Sequence, residues 1–175
     1  LGELPIEIPL VISNREELKS LVESHGIPFL YLEVTATNKA AQEKVMLAKI
    51  AELKIDFVVL ARYMQILSTD FCAAMPGKII NIHHSFLPSF KGAKPYYQAH
   101  ERGVKLIGAT AHFVTGDLDE GPIIEQDVER VDHAMDPETL TAIGRDVECV
   151  VLARAVKWFV EHRILLNGHK TIVFK

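Results

Sequence analysis

The 175 residues are 49% hydrophobic and 24% charged, and 23 acidic against 19 basic side chains leave a formal net charge of −4. Such a chain is long enough to bury one sizeable core and too short for more than one ordinary domain. The acidic balance lacks the basic surplus that nucleic-acid binding requires, and no apolar run reaches the roughly 20 residues that span a bilayer, so neither partner is expected.

The amino terminus has no positive stretch followed by an apolar signal core. Cys72 and Cys149 form no C-x-x-C pair or other metal-ligand spacing, and read as reduced thiols of a soluble, cytoplasmic protein.

Short β-branched runs alternate with amphipathic stretches, the pattern of an α/β sheet whose strands are joined by helices. A strand is predicted over 8–13. Asn14, with Glu17 three residues on, is the expected N-cap of a helix that runs to about His25, where Gly26 supplies the stop. A second strand follows over 27–34. The helix expected over 39–53 sets Ala41, Val45, Ala48 and Ala51 on one face and leaves Lys44, Lys49 and Glu52 to water.

Residues 56–61 form a continuous apolar strand, of the kind buried on both faces in a parallel sheet. Ligands of open α/β sheets bind beyond the carboxyl ends of strands, which makes 62–67 a candidate pocket wall. The next strand, 78–82, runs straight into His83-His84-Ser85-Phe86-Leu87-Pro88. A short helix is predicted over 95–103 and strands over 106–115 and 123–131, separated by an acidic, glycine-containing loop. Asp136 followed by Pro137 opens a long helix to about His162, because proline in the first turn has no hydrogen bond to lose. Asn167-Gly168 reads as the turn of a closing hairpin.

Asn81 and His83 project from the same side of their strand, since side chains alternate with period two. Acyl transfer needs a donor aimed at the developing oxyanion and a group that moves protons near neutral pH; an amide and an imidazole supply these functions. The same two residues can equally cap a strand end. In the acidic loop, spacing alone does not choose among Asp117, Asp119 and Glu120, and such loops are commonly just solvated. A carboxylate there that faced His83 could orient the imidazole or hold an attacking water. His112 reads as a buried histidine with a satisfied ring. A metal centre built from His83, His84, His112 and the acidic loop would need converging ligands without any recognisable metal motif, so no metal is expected. Neither G-x-G-x-x-G nor a P-loop is present, and no dinucleotide or nucleotide cofactor is expected.

Together, Asn81-Ile82-His83, Ser85-Phe86-Leu87-Pro88, His112-Phe113-Val114-Thr115 and Leu118-Asp119-Glu120-Gly121-Pro122 resemble, in order and spacing, the folate-dependent formyltransferase family. The similarity extends from about Pro9 to the end of the long terminal helix. The resemblance implies an open, mostly parallel Rossmann-like sheet with helices on both faces, closed here by the carboxyl-terminal hairpin. It also implies Asn81, His83 and Asp119 as catalytic residues, with His112 in support. The folate site it implies comprises Leu60, Tyr63, Met64, Gln65, Ile66, Leu67, Val114, Thr115 and Asp117.

Within the family, this chain is similar to the deformylase branch: His84 and Phe86 stand where glycinamide ribonucleotide transferases have proline and leucine, and Arg62 where they have glycine. The stretches 92–99, 102–105, 108–112 and 144–148 resemble that branch too. It implies hydrolysis of 10-formyltetrahydrofolate to tetrahydrofolate and formate, with no prosthetic group, a homo-oligomer, and formate made available for purine biosynthesis. Arg62 and His84 become specificity candidates, His84 by narrowing the space for an amine acceptor. The alternatives are formyl transfer to an amine and an inactive folate-binding domain. Family members open with a strand, a glycine-containing loop and a helix before the segment matching 1–14, and deformylases add an amino-terminal ligand-sensing domain. Residues 1–175 are therefore expected to be the catalytic domain of a longer protein.

Overall fold

The computed structural model describes residues 4–35, 37–84, 94–116 and 121–175. They fall into two compact units, Leu1–Asp56 with Leu67–Ala74 and Phe57–Ile66 with Met75–Lys175.

In the first unit, β1 (Val11–Ser13) and β2 (Phe29–Tyr31) pair in parallel across α1 (Lys19–Ser24). Asn14 does not cap α1. The Ser13 hydroxyl accepts the Arg15 N–H at 3.0 Å and turns the chain first, so the helix starts at Lys19 after Leu18, without a side-chain cap. Gly26 does end it, at φ +73° and with its N–H on the Glu23 carbonyl.

In α2 (Lys39–Glu52) the expected apolar face is the exposed one: Ala41, Val45, Ala48 and Ala51 lie outside, while Glu43 is buried beside partly covered Met46, Leu47 and Ile50. A carboxylate sets this rotation. Glu43 accepts the Ser68 N–H at 3.1 Å and pairs with Lys39 at 3.7 Å, and a buried charge must keep such partners. The following helix, α3 (Thr69–Ala74), has no counterpart among the expected elements; its first turn is closed by the Ser68 hydroxyl, which accepts the Phe71 N–H at 3.2 Å.

The second unit holds a four-stranded sheet in the order β3 (Val58–Ala61), β4 (Ile79–His83), β5 (Leu106–Phe113), β6 (Ile123–Arg130). β3 and β4 are parallel, and β5 and β6 continue the sheet antiparallel. Parallel pairing thus joins β1 to β2 and β3 to β4 in an α/β architecture of the expected class. α4 (Pro95–Glu101) precedes β5, and α5 (Pro137–Val160) follows β6. Asp136 caps α5 as expected, accepting the Thr139 N–H at 2.7 Å.

The core forms where α5 covers one face of the sheet. Ile80, Ile82, Ala109, Ala111, Phe113 and Ile124 pack against Val147, Val151, Ala155 and Trp158. Each fully buried aliphatic side chain there contributes about 1.5–3 kcal/mol of burial. β7 (Ile164–Asn167) and β8 (Lys170–Val173) form the closing hairpin. Its two-residue turn is Gly168-His169 rather than Asn167-Gly168, with Gly168 at φ +60°, because a turn with one left-handed residue places glycine first. The Thr171 hydroxyl ties this hairpin to β6 by donating to the Ile123 carbonyl.

Candidate active site

The alternation of β4 separates core from chemistry. Ile80 and Ile82 enter the α5 core, which turns Asn81 and His83 to the opposite face, at the carboxyl end of the strand. Asn81 stands in register with His112 on β5, and His83 with Thr110. The ladder between β5 and β6 shifts register between Ala111 and His112, an irregularity of the kind that re-aims side chains next to sites.

His112 is 2% exposed and engages both ring nitrogens. Nδ1 lies 2.9 Å from the Phe113 carbonyl, which can only accept, so Nδ1 carries the proton. Nε2 is then an acceptor, and the Asn81 Nδ2 amide donates to it at 3.3 Å. One N–H of the Asn81 amide is thereby fixed, and its second has no partner among the described residues. Asn81 Oδ1 is buried with no hydrogen-bond partner among the described residues.

Gly121 bounds the other side of His112. A Cβ there would sit 1.6 Å from the Phe113 carbonyl oxygen and 3.4 Å from His112 Nδ1. Only glycine allows this approach, which is locked by the Phe113 N–H donating to the Pro122 carbonyl at 2.9 Å. The position of Gly121, directly after the acidic segment, is therefore dictated by backbone contact. Asp117, Asp119 and Glu120 lie outside the described residues, as do Ser85-Phe86-Leu87-Pro88.

His84 extends the site. Its ring stacks on His83 with centroids 4.7 Å apart and meets the Tyr96 ring, tilted, at 6.3 Å. Tyr96 is 6% exposed, and its hydroxyl donates to Glu148 Oε1 at 2.6 Å. Burial, and then the hydrogen bond to Glu148, push this phenol above its ordinary pKa, so it remains a donor. Arg62 and Arg145 act on it in the opposite sense. The segments holding Tyr96 and Glu148 resemble one branch of a family, but the two residues are 52 positions apart and nothing local in the sequence joins them.

Arg62, at the end of β3, takes φ +54°. That left-handed conformation costs a residue with a side chain roughly 1–2 kcal/mol and clusters at functional positions. It also explains why glycine would suit the same place. Of the candidate folate segment, Leu60 is partly covered and in register with Asn81; Tyr63 and Gln65 are partly covered, and Met64 and Ile66 are exposed. Leu67 is buried and belongs to the first unit. Val114 continues beyond β5 with its N–H on the Ile79 carbonyl, and Thr115 is exposed. Among the described residues, no three His, Cys, Asp or Glu side chains are grouped to hold a metal, and no helix is long and apolar enough to cross a membrane.

The chain has known relatives in sequence and fold. The chain is 58% identical over 173 residues to the formyltetrahydrofolate deformylase of Bacillus subtilis (strain 168), covering 99% of itself and 58% of that relative. A crystal structure of the Burkholderia mallei formyltetrahydrofolate deformylase superimposes with a TM-score of 0.93 at 59% identity, over 99% of this chain and 62% of that one. The chain thus spans about three fifths of these relatives. Glycinamide ribonucleotide transformylase 1 of Symbiobacterium toebii is more distant in sequence, at 32% identity and a TM-score of 0.89, with 84% of its length covered. The architecture is accordingly the formyltransferase fold. The family model described as formyl transferase matches residues 2–156, and the chain belongs to that family.

Proposed function

We propose that this chain is the formyl-handling domain of a formyltetrahydrofolate deformylase, hydrolysing 10-formyltetrahydrofolate to tetrahydrofolate and formate. The observation that carries the reading is the Asn81 amide held by His112 beside His83, a fixed donor next to a proton-carrying ring. Relatives of that name at 58–59% identity support it.

In this reading, water attacks the formyl carbon and the carbonyl oxygen becomes an oxyanion. The free N–H of Asn81 and a protonated His83 hold that charge, while Asp119 takes the proton from the water. The intermediate collapses with cleavage of the carbon–nitrogen bond. The departing nitrogen gains a proton through His83 or water, and formate leaves. The residues proposed to bind the folate are Leu60, Tyr63, Met64, Gln65, Ile66 and Leu67, with Val114, Thr115 and Asp117. Arg62 and His84 exclude an amine acceptor. The reaction uses no prosthetic group or metal, and its expected setting is a cytoplasmic homo-oligomer whose formate serves purine biosynthesis.

Structural likeness to glycinamide ribonucleotide transformylase 1 favours a second reading, transfer of the formyl group to an amine by the same residues. The intact protein, incubated with 10-formyltetrahydrofolate and no acceptor, is expected to release formate. Turnover that appears only after an amine is added would replace the first reading with the second.

A further inference from the structure

The described residues contain a part-buried polar contact with no part in the chemistry above. Tyr96, in the first turn of α4, lies against α5 where Gly144 has no side chain. A Cβ on Gly144 would fall 2.1–2.3 Å from the Tyr96 ring and hydroxyl, so ring and helix are fitted to each other. One turn further along α5, on the same helix face, Glu148 receives the Tyr96 hydroxyl at 2.6 Å. The phenol is thus fixed at two points, its ring by Gly144 and its oxygen by Glu148. The ring packs in a cluster with Ala99, Ile107, Val131 and Leu140, and the His84 ring, which stacks on His83, leans on it as well.

A side chain held by both packing and a charged acceptor has one available pose. Whatever leans on it inherits that definition. We propose that Tyr96, seated on Gly144 and hydrogen-bonded to Glu148, is a positioning residue that fixes the His84 ring and, through it, the orientation of His83. The inference rests on the deformylase reading for the reaction it serves. It goes further by assigning α4 and α5 a role in the site: α5 is the rigid body against which the two histidines are indexed. Arg62 and Arg145 belong to the same locality, since their charges act on the Tyr96 phenol.

The test compares Tyr96→Phe, Tyr96→Leu and Glu148→Gln in the intact protein, by formate release and by ¹⁵N resonances of the His83 and His84 rings. Tyr96→Leu removes the aromatic contact. It is expected to lower kcat about tenfold or more while KM stays within about twofold, the pattern of a misaligned group rather than a lost binding contact. Its His83 and His84 resonances should shift or broaden. Tyr96→Phe keeps the ring but loses the bond to Glu148 and is expected to fall between the parent and Tyr96→Leu, whereas Glu148→Gln, which keeps an acceptor of the same size, should stay nearest the parent. Should Tyr96→Leu fail to fold, the two milder variants carry the comparison. Unchanged kcat and unchanged histidine resonances in folded variants would overturn the proposal. If the parent protein releases no formate, the reaction assignment fails, yet the resonances still report on whether Tyr96 holds the histidines.

Discussion

The Asn81 amide and the His112 imidazole face each other across β4 and β5, 3.3 Å apart, and the second ring nitrogen of His112 is committed to the Phe113 carbonyl. Asn81 is therefore oriented by a residue from another strand. Replacing His112 with Ala leaves a cavity and an unpaired carbonyl, and should cost about 2–4 kcal/mol of stability. Because the Asn81 amide is then free to rotate, kcat should also fall by about 10–100-fold, with KM little changed. Urea unfolding and steady-state kinetics on the same preparation check both parts.

Gly121→Ala tests the backbone contact behind the acidic segment. Its new Cβ would overlap the Phe113 carbonyl, which belongs to the sheet and cannot retreat cheaply. A destabilisation of about 1–3 kcal/mol is expected, as for other overpacked sites. Activity should drop beyond what the loss of folded protein explains, because residues 117–120 lead directly into Gly121. Activity per folded molecule equal to that of the parent would contradict this.

Asp119 was selected over Asp117 and Glu120 by family resemblance alone. Asp119→Asn is expected to leave folate binding near normal and to lower the rate about 100-fold or more, the scale of a positioned proton-transfer group. If Asp117→Asn or Glu120→Gln shows that loss instead, the base has been misassigned.

Acid should weaken the fold through two carboxylates. The Thr139 N–H holds the Asp136 carboxyl below the usual range, and the Val128 N–H, followed by Arg154, does the same for Asp127. Both have a lower pKa folded than unfolded, so their contribution is complete above the unfolded value near 3.9 and is lost as pH falls through and below it. In denaturant unfolding, the contribution of these two carboxylates should thus be constant above about pH 5 and decline below about 4. Asp136→Asn keeps a good N-cap without the titrating charge, and should show a shallower decline. An identical acid profile would rule Asp136 out as a contributor.

What the sequence made legible was local. The opposite faces of Asn81-Ile82-His83, the cap at Asp136 and the glycine stop at Gly26 each follow from residues within a few positions. Pairings set by distant parts of the chain were not legible. Glu43 rotates α2 because it reaches Ser68, 25 residues away, which no helical periodicity encodes. Likewise α3 is only six residues long and owes its start to the Ser68 hydroxyl. The partner of Asn81 lies 31 residues on, and Tyr96 meets Glu148 across 52. For the candidate site, Asn81, His83 and His112 stood out as residue types in a pattern, whereas the contacts between them and their neighbours did not.

The central claim is that water, rather than an amine, takes the formyl group at the Asn81 and His83 site. Single turnover of 10-formyltetrahydrofolate by the intact protein in ¹⁸O-labelled water, with mass analysis of the formate, measures that step directly. Formate carrying oxygen from the solvent is expected, formed at the same rate whether or not glycinamide ribonucleotide is present. Formyl that stays on the folate until the amine is added, and then appears on the amine without labelled formate, would contradict it.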